Sequence, residues 1–287
     1  METPVIVFSV NNVFISYLIV ALRTLGRNNQ YPIDIYIIHS DLSRKNLNLL
    51  KDICDHFNYK LKAIKIDSNM FDGAREMGHL KIQAYFRIVI SNLIKAKTAL
   101  YLDCDIFVNS SIREIFKINL DGYPLAAVKD PGFQPIEKLK MSPDSEYFNS
   151  GVLLMNLDFW RENNLSNVVL KYAIENSNIL SYADQCALNA VIDGEYISLD
   201  LLYNFQTIHL KLCPESTINK AKIIHFTSYY KPPHYLNTHP FKEEYMREFR
   251  NTPDYYKFKF KNFVRIFLKN IYLDFLPSLA RKYRLIK

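Results

Sequence analysis

Over the first hundred residues, short apolar runs alternate with segments whose apolar positions recur every three or four residues. Val5 to Val10 reads as a strand, and Tyr17, Leu18, Ala21, Leu22 and Leu25 then repeat at the spacing of one helix face. The polar break Gly26-Arg27-Asn28-Asn29-Gln30 ends that helix. Ile33 to Ile38 predicts a second strand, Ser43 is placed to cap a helix bearing Leu47, Leu50, Ile53 and Cys54, and Leu61 to Ile66 predicts a third strand. Strand and helix alternating at about thirty residues per unit predict an α/β fold with a parallel sheet and right-handed crossovers. A polar, glycine-punctuated segment from Met70 to Gly78 reads as a mobile loop, and a helix carrying Arg87 is expected from about Leu80 to Leu93. Further on, Pro124 to Val128 is strand-like and ends on Lys129-Asp130, and Tyr147 to Leu157 is apolar and β-like around Asn149-Ser150-Gly151. Helices are expected at about Leu165–Glu175 and Ala183–Ile192, with a last strand from Lys222 to Phe226.

One apolar run, Ala99 to Val108, is interrupted by Asp103-Cys104-Asp105. In an extended segment side chains at i and i+2 lean to the same side, so both carboxylates can reach one hard divalent cation. Such a pair at the carboxyl end of a strand lies where open α/β sheets gather ligands, although a lone Asp-x-Asp also suits a solvated turn. The chain has no Gly-x-Gly-x-x-Gly after its first strand and no Gly-Lys-Ser/Thr, so a bound diphosphate would need another source of positive charge.

Composition changes this picture little until the end of the chain. With 49% hydrophobic and 23% charged residues, the 287-residue chain is an ordinary globular one, and its 14% aromatic content suits either sugar stacking or a bulky core. The four cysteines stand far apart at no metal-finger or redox spacing, which predicts reduced thiols and a cytoplasmic setting. The N-terminus has neither a basic leader nor a run long enough to span a membrane. The charge is lopsided: residues 257–287 hold nine Lys/Arg and one acid, a balance of +8, against +7 for the whole chain, so the remainder carries −1. In this basic segment Val264, Phe267, Leu268, Ile271, Tyr272 and Phe275 fall on one helical stripe that stops before Pro277.

Tyr85-Phe86-Arg87, Phe148-Asn149-Ser150-Gly151-Val152, Ala183-Asp184-Gln185-Cys186 and the stretch from His225 to His234, arranged in this order around Asp103-x-Asp105, together resemble the family 8 retaining glycosyltransferases. These include bacterial lipopolysaccharide galactosyl- and glucosyltransferases and the glycogenins. The resemblance spans about Val5 to Lys242 and implies a GT-A fold, a Rossmann-like, mostly parallel sheet flanked by helices. It implies Asp103, Asp105 and His225 as ligands of Mn²⁺ or Mg²⁺, and UDP-galactose or UDP-glucose as donor. Phe8, Ser9 and Asn11 would hold the uridine with Val7 and Val13 nearby, Arg87 would contact donor sugar and phosphate, and Cys104 would sit between the metal ligands. Asn149 and Ser150 would read sugar hydroxyls. Asp184 and Gln185 would stand at the reacting face as the catalytic pair, with Gln185 near the anomeric carbon. Ser228 and Lys231 would adjoin the diphosphate, and His79 and Asp130 match less diagnostic positions.

The chain departs from the family pattern at four places. Asn11 stands where an Asp accepts from the uracil N–H, Cys186 replaces an acid, Ser228 a glycine and Pro233 a tryptophan. The resemblance implies transfer of a hexose with retained configuration to a hydroxyl of a glycan or lipid-linked saccharide, as in lipopolysaccharide or cell-surface polysaccharide synthesis. Because Gln185 is a poor nucleophile, front-face attack is expected over a double displacement, with a covalent route through Asp184 left open. A metal-dependent nucleotidyltransferase and a catalytically idle nucleotide-sugar-binding protein are the alternatives. The expected organisation is a transferase domain over 1–254 and a basic amphipathic tail over 255–287. That tail would attach the protein to anionic lipid at the inner face of the membrane. No nucleic-acid partner is expected.

Overall fold

The computed structural model describes residues 2–76, 82–132 and 134–270, with side chains only to 267 in the last helix. Among the residues singled out above, Gly78, His79, Leu80, Ile271, Tyr272, Phe275, Pro277 and the side chain of Leu268 lie outside them. By its internal contacts the chain divides into one unit from Met1 to Thr227 and a second from Ser228 onward.

The first unit opens with β1 (Val5–Ser9), α1 (Ile15–Asn28), β2 (Asp34–His39), α2 (Arg44–His56) and β3 (Lys60–Lys65), the alternation expected from the pattern. Ser43 caps α2, its hydroxyl accepting from the Asn46 N–H. The segment bearing Arg87 differs from the expected helix. It winds as a 3₁₀ helix over Ile82–Val89 and becomes α-helical only for α3 (Ile90–Leu93). Tyr85 to Ile90 are buried without interruption, Ile82 to Ala84 are half-buried, and Arg87 Nε ties back to the Ala84 carbonyl three residues earlier at 2.9 Å, within the tighter coil. The described part of the preceding loop is tied down. Phe71 is fully buried, Arg75 donates from Nη1 to the Asn178 carbonyl at 2.9 Å, and Tyr85 donates its hydroxyl hydrogen to the Arg75 carbonyl.

The chain continues through β4 (Thr98–Leu102), β5 (Ile106–Val108), β6 (Leu125–Lys129), β7 (Phe148–Asn156), α4 (Leu157–Glu162), α5 (Leu165–Glu175) and α6 (Ala183–Ile192). It closes with β8 (Ile197–Ser198), β9 (Phe205–Gln206), α7 (His209–Leu212), α8 (Glu215–Ile218) and β10 (Ile223–His225). Among the described residues the strands form two sheets, one of seven strands in the order β3-β2-β1-β4-β7-β6-β8 and one of three in the order β5-β10-β9. The strands from β3 to β4 run parallel, whereas β7 runs antiparallel to both β4 and β6. The apolar run Ala99–Val108 is therefore two strands in two sheets, broken at the carboxylates. Both faces of the large sheet are covered, so β1 and most of β7 are buried residue after residue, as strands between two helical layers must be. Trp160, Tyr85, Tyr101, Tyr147 and Phe148 anchor the core on one face.

In the second unit α9 (Lys242–Phe249) packs its Phe249 edge-on against Phe258 of α10 (Tyr255–Asn270) at 5.4 Å. Asn262 fastens α10 to the Pro233 carbonyl at 2.6 Å. Burial pulls His239 down to about 4, so it is neutral there at neutral pH. Along α10, Tyr256, Phe260, Phe263 and Phe267 are 76, 67, 65 and 55% exposed and fall at i, i+4, i+7 and i+11. Among the described residues no helix is long and apolar enough to cross a membrane.

Candidate metal and donor site

Strands β2 and β3 lie on one side of β1, while β4 lies on its other side. The winding thus reverses between β1 and β4, where a crevice opens beyond their carboxyl ends. Asp103 directly follows β4. Because β7 is antiparallel, it begins where β4 ends: Leu102 pairs with Val152, and the Asp103 N–H donates to the Gly151 carbonyl at 2.8 Å. Strand β6 ends at the same place, where the Asp130 N–H donates to the Tyr147 carbonyl. The small sheet brings in the rest, since His225 of β10 pairs with Ile106 of β5 and the Phe226 N–H donates to the Asp105 carbonyl at 3.1 Å. Residues more than a hundred positions apart thus meet through strand pairing alone.

The ligand atoms of Asp103, Asp105 and His225 lie within 4.8 Å of one another. His225 Nε2 is 3.7 Å from Asp103 Oδ2 and 3.3 Å from Asp105 Oδ1. The donor set fits a hard divalent ion that tolerates one imidazole. Asp103 is oriented for such a role: its Oδ1 accepts from the Tyr101 hydroxyl at 2.8 Å and from Arg87 Nη2 at 3.0 Å, while Oδ2 faces His225. Gly151 provides the clearance. A Cβ there would stand 2.2 Å from His225 Cε1 and 2.8 Å from Asp103 Oδ2.

Arg87 occupies the centre of the site. Its Nε is 3.0 Å from Asp184 Oδ2, its Nη1 donates to the carbonyl and hydroxyl of Ser150, and its guanidinium lies 4.4 Å from the centre of the Tyr101 ring. Burial opposes the guanidinium charge, yet the carboxylates of Asp103 and Asp184 outweigh it and push its pKa upward, so the charge is permanent. Asp184, at 2% exposure, is raised to about 6, chiefly by burial and held from going further by Arg87. Beside it, Gln185 accepts at Oε1 from the Ser150 N–H at 3.1 Å and from Asn149 Nδ2 at 3.2 Å, and donates from Nε2 to Asp130 Oδ2 at 3.1 Å. Ala183, which opens α6 just before this pair, adopts φ +46, a left-handed conformation costly for a residue with a Cβ and of the kind that clusters at functional sites.

The remaining sequence-predicted residues fall in four groups. Asn149 and Ser150 join this network. Ser9 and Cys104 line the crevice between β1 and β4, with the Cys104 thiol donating to the Ser9 carbonyl at 3.1 Å and Phe8 buried behind them. The Ser9 hydroxyl is buried and has no partner among the described residues. Asn11 turns its side-chain oxygen to the Val13 and Phe14 N–H groups at 3.0 and 3.1 Å, so the acceptor expected to meet a uracil N–H here braces the turn before α1. Ser228 and Lys231 belong to the second unit. Asn204, fully buried beside His225, had no motif to mark it, since it lies in an irregular connection between Tyr203 and β9.

Sheet order, switch-point crevice and a two-carboxylate cluster at its mouth define a GT-A-type α/β protein. Residues 5–237 match the profile described as glycosyl transferase family 8, and the chain belongs to that family. It is 29% identical over 235 residues to general stress protein A of Bacillus subtilis (strain 168), covering 76% of this chain and 82% of that one. Against glycosyltransferase GlyF of Streptococcus pneumoniae serotype 4 the figures are 28% over 232 residues, covering 79% of this chain and 56% of that protein. Lipopolysaccharide 1,2-glucosyltransferase of Escherichia coli (strain K12) is 24% identical over 251 residues, covering 82% of this chain and 74% of that enzyme. In fold the chain superimposes on galactosyltransferase LgtC, solved in complex with donor and acceptor sugar analogs, with a TM-score of 0.79 at 20% identity, covering 87% of this chain and 96% of that one.

Two outcomes follow from this geometry. Gly151→Ala is expected to leave a folded protein whose divalent-cation affinity, read by isothermal titration, falls by roughly tenfold or more. Wild-type affinity would show that the backbone gives way and that the clearance is unnecessary. The second concerns Asp184, whose folded pKa of about 6 exceeds the ordinary carboxylate value of about 4. The fold therefore holds this proton more tightly than the unfolded chain does. The resulting stabilisation is fully present below about pH 4 and is lost as pH rises through about 6. Urea midpoints at pH 4.5 and 7 are expected to show wild type losing stability relative to Asp184→Asn as pH rises; an unchanged difference would place the titration elsewhere.

Proposed function

We propose that the protein transfers a hexose, galactose or glucose, from a UDP-sugar to a hydroxyl of a glycan or lipid-linked saccharide, with retention of configuration and dependence on Mn²⁺ or Mg²⁺. The observation that carries this reading is the convergence of Asp103, Asp105 and His225 at the switch point, next to the Arg87–Asp184–Gln185 network. The named activities of the glucosyltransferase and galactosyltransferase above support the hexose assignment. When bound, the cation neutralises charge that develops on the departing diphosphate.

The chain's own residues supply the rest. Asp103, Asp105 and His225 would hold the cation, and Ser9 would offer its unpartnered hydroxyl to the nucleoside in the crevice between β1 and β4. Lys231 is assigned to the diphosphate as a point charge. Asn149, Ser150 and Asp184 face the sugar hydroxyls, and Gln185 presents a neutral amide to the reacting carbon. Asp184 is a poor candidate for a covalent intermediate, because its Oδ2 is engaged by Arg87 at 3.0 Å and by the Ser150 hydroxyl at 3.3 Å. Attack by the acceptor on the face that the leaving group vacates, with the acceptor proton passing to the departing phosphate, needs no protein nucleophile. Family membership favours glycosyl over nucleotidyl transfer.

We assign α10 to attachment at the inner, anionic face of the membrane. Its exposed aromatic stripe is flanked by Lys257, Lys259, Lys261 and Arg265, and each cation near such a surface contributes about 1 kcal/mol. Residues 255–287 would then act as an attachment segment beside a transferase domain of 1–254.

The expected readout for the reaction is UDP release from UDP-glucose or UDP-galactose that requires Mn²⁺ or Mg²⁺ and yields no pyrophosphate. Asp105→Asn is expected to lower it by about two orders of magnitude with the melting temperature preserved. Pyrophosphate formation would establish nucleotidyl transfer, and full activity in Asp105→Asn would remove the cation from the mechanism. For the tail, full-length protein is expected to co-sediment with phosphatidylserine-containing vesicles at low salt, and Phe260→Ser with Phe263→Ser to abolish it. Equal binding by that double variant would mean that the stripe does not touch lipid.

A further inference from the structure

Asn204 bridges two residues to which the reading above gives different ligands. Its Nδ2 donates to Asn149 Oδ1 at 2.9 Å, and its Oδ1 lies 3.0 Å from His225 Nδ1. The direction of each bond follows from a single backbone group. The Gly151 N–H can only donate, so the Asn149 atom 3.0 Å from it is the oxygen. That oxygen can only accept, so Asn204 must offer it the NH₂, which turns the Asn204 oxygen toward the histidine. An amide oxygen cannot donate, so the hydrogen in this contact sits on Nδ1. A neutral imidazole then holds its lone pair at Nε2, the nitrogen that faces Asp103 and Asp105.

The carboxylates alone favour the opposite arrangement. With a hydrogen on Nε2 the ring would donate to Asp105 Oδ1 at 3.3 Å and close the cluster as a histidine–aspartate hydrogen bond. We propose that Asn204 is a positioning residue that locks His225 in the Nδ1–H tautomer against this pull and so presents Nε2 as a cation ligand. The ligand half of this rests on the cation reading above, whereas the tautomer lock does not. Because Asn149 also donates to Gln185 Oε1 at 3.2 Å, the lock ties the cation ligand to residues assigned to the donor sugar.

The test uses ¹⁵N-histidine-labelled full-length protein without metal, with His225 assigned by its disappearance in His225→Gln. Wild type is expected to show Nδ1 as the protonated nitrogen. Asn204→Leu is expected to move the proton to Nε2 and to weaken Mn²⁺ binding, read by electron paramagnetic resonance, by about 10–100-fold. Asn204→Asp keeps an acceptor opposite Nδ1 and is expected to keep the tautomer. A wild-type ring protonated at Nε2, or a folded Asn204→Leu with unchanged tautomer and affinity, overturns the proposal. Should Asn204→Leu fail to fold, the wild-type and Asn204→Asp spectra decide alone, an Nε2–H ring in either being contrary. If wild type binds Mn²⁺ no better than Asp105→Asn, the cation reading and the ligand half fail, and the lock stands or falls on the spectra.

Discussion

The site depends on one buried cation. Asp103 and Asp184 approach the same guanidinium from different elements, one from the end of a strand and the other from the start of a helix. Withdrawing a carboxylate from water costs several kcal/mol, and two of them without Arg87 would also repel each other. The arginine answers both at once, and its bonds to the carbonyl and hydroxyl of Ser150 fix β7 to the same point. Removing one partner from such a set is strongly destabilising, about 3–5 kcal/mol, because the remaining charges stay buried and unmatched. The 3₁₀ helix delivers Arg87 from the buried half of its length, where Nε also donates to the Ala84 carbonyl at 2.9 Å while the guanidinium reaches the centre of the site.

A second constraint is direction. In a wholly parallel sheet every strand would point its carboxyl end at the crevice, and the segment Asn149-Ser150-Gly151 would lie at the far edge. Reversing β7 puts its opening residues beside Asp103, where a glycine gives His225 and the carboxylate room. Strand β6, running in the same direction as β4, delivers Asp130 to the same end, where its carboxylate accepts from Gln185.

Much of this was legible in the chain. The alternation that predicts the first three strands and two helices survives because each strand is short, apolar and flanked by a clear break. The helices at 165–175 and 183–192 fall where the chain predicts them. Asp103-x-Asp105 was visible because two charges interrupt an apolar run. The features that escaped lack local signals. Nothing in Ile106-Phe107-Val108 says that it leaves one sheet for another, since that depends on pairing with β10 more than a hundred residues away. The apolar spacing of Ile82–Val89 suits a 3₁₀ helix and an α-helix alike, so the pattern does not separate the two. Asn204 is one asparagine in an irregular connection, and its role appears only when three side chains and one backbone N–H are seen together. Asn11 shows a further limit, since the bonds of its oxygen to the Val13 and Phe14 N–H groups are not visible in a match by position.

The charge balance of the crevice explains why these parts come as a set. Asp103, Asp105, Asp130 and Asp184 bring four carboxylates against the guanidinium of Arg87, so on the proposed reading the site would repel the diphosphate of its own donor. A glycine loop at a helix N-terminus, the usual remedy in nucleotide-binding sheets, is missing after β1. On that reading, a divalent cation held by two of those carboxylates would restore the balance. It can do so only if the third ligand adds no negative charge and does not consume the second carboxylate in a hydrogen bond. A neutral histidine with its lone pair outward would meet both conditions, and a neutral glutamine that donates to Asp130 beside Asp184 adds no further negative charge where the sugar would sit. Electrostatics thus limits both positions to uncharged side chains, independently of the particular sugar.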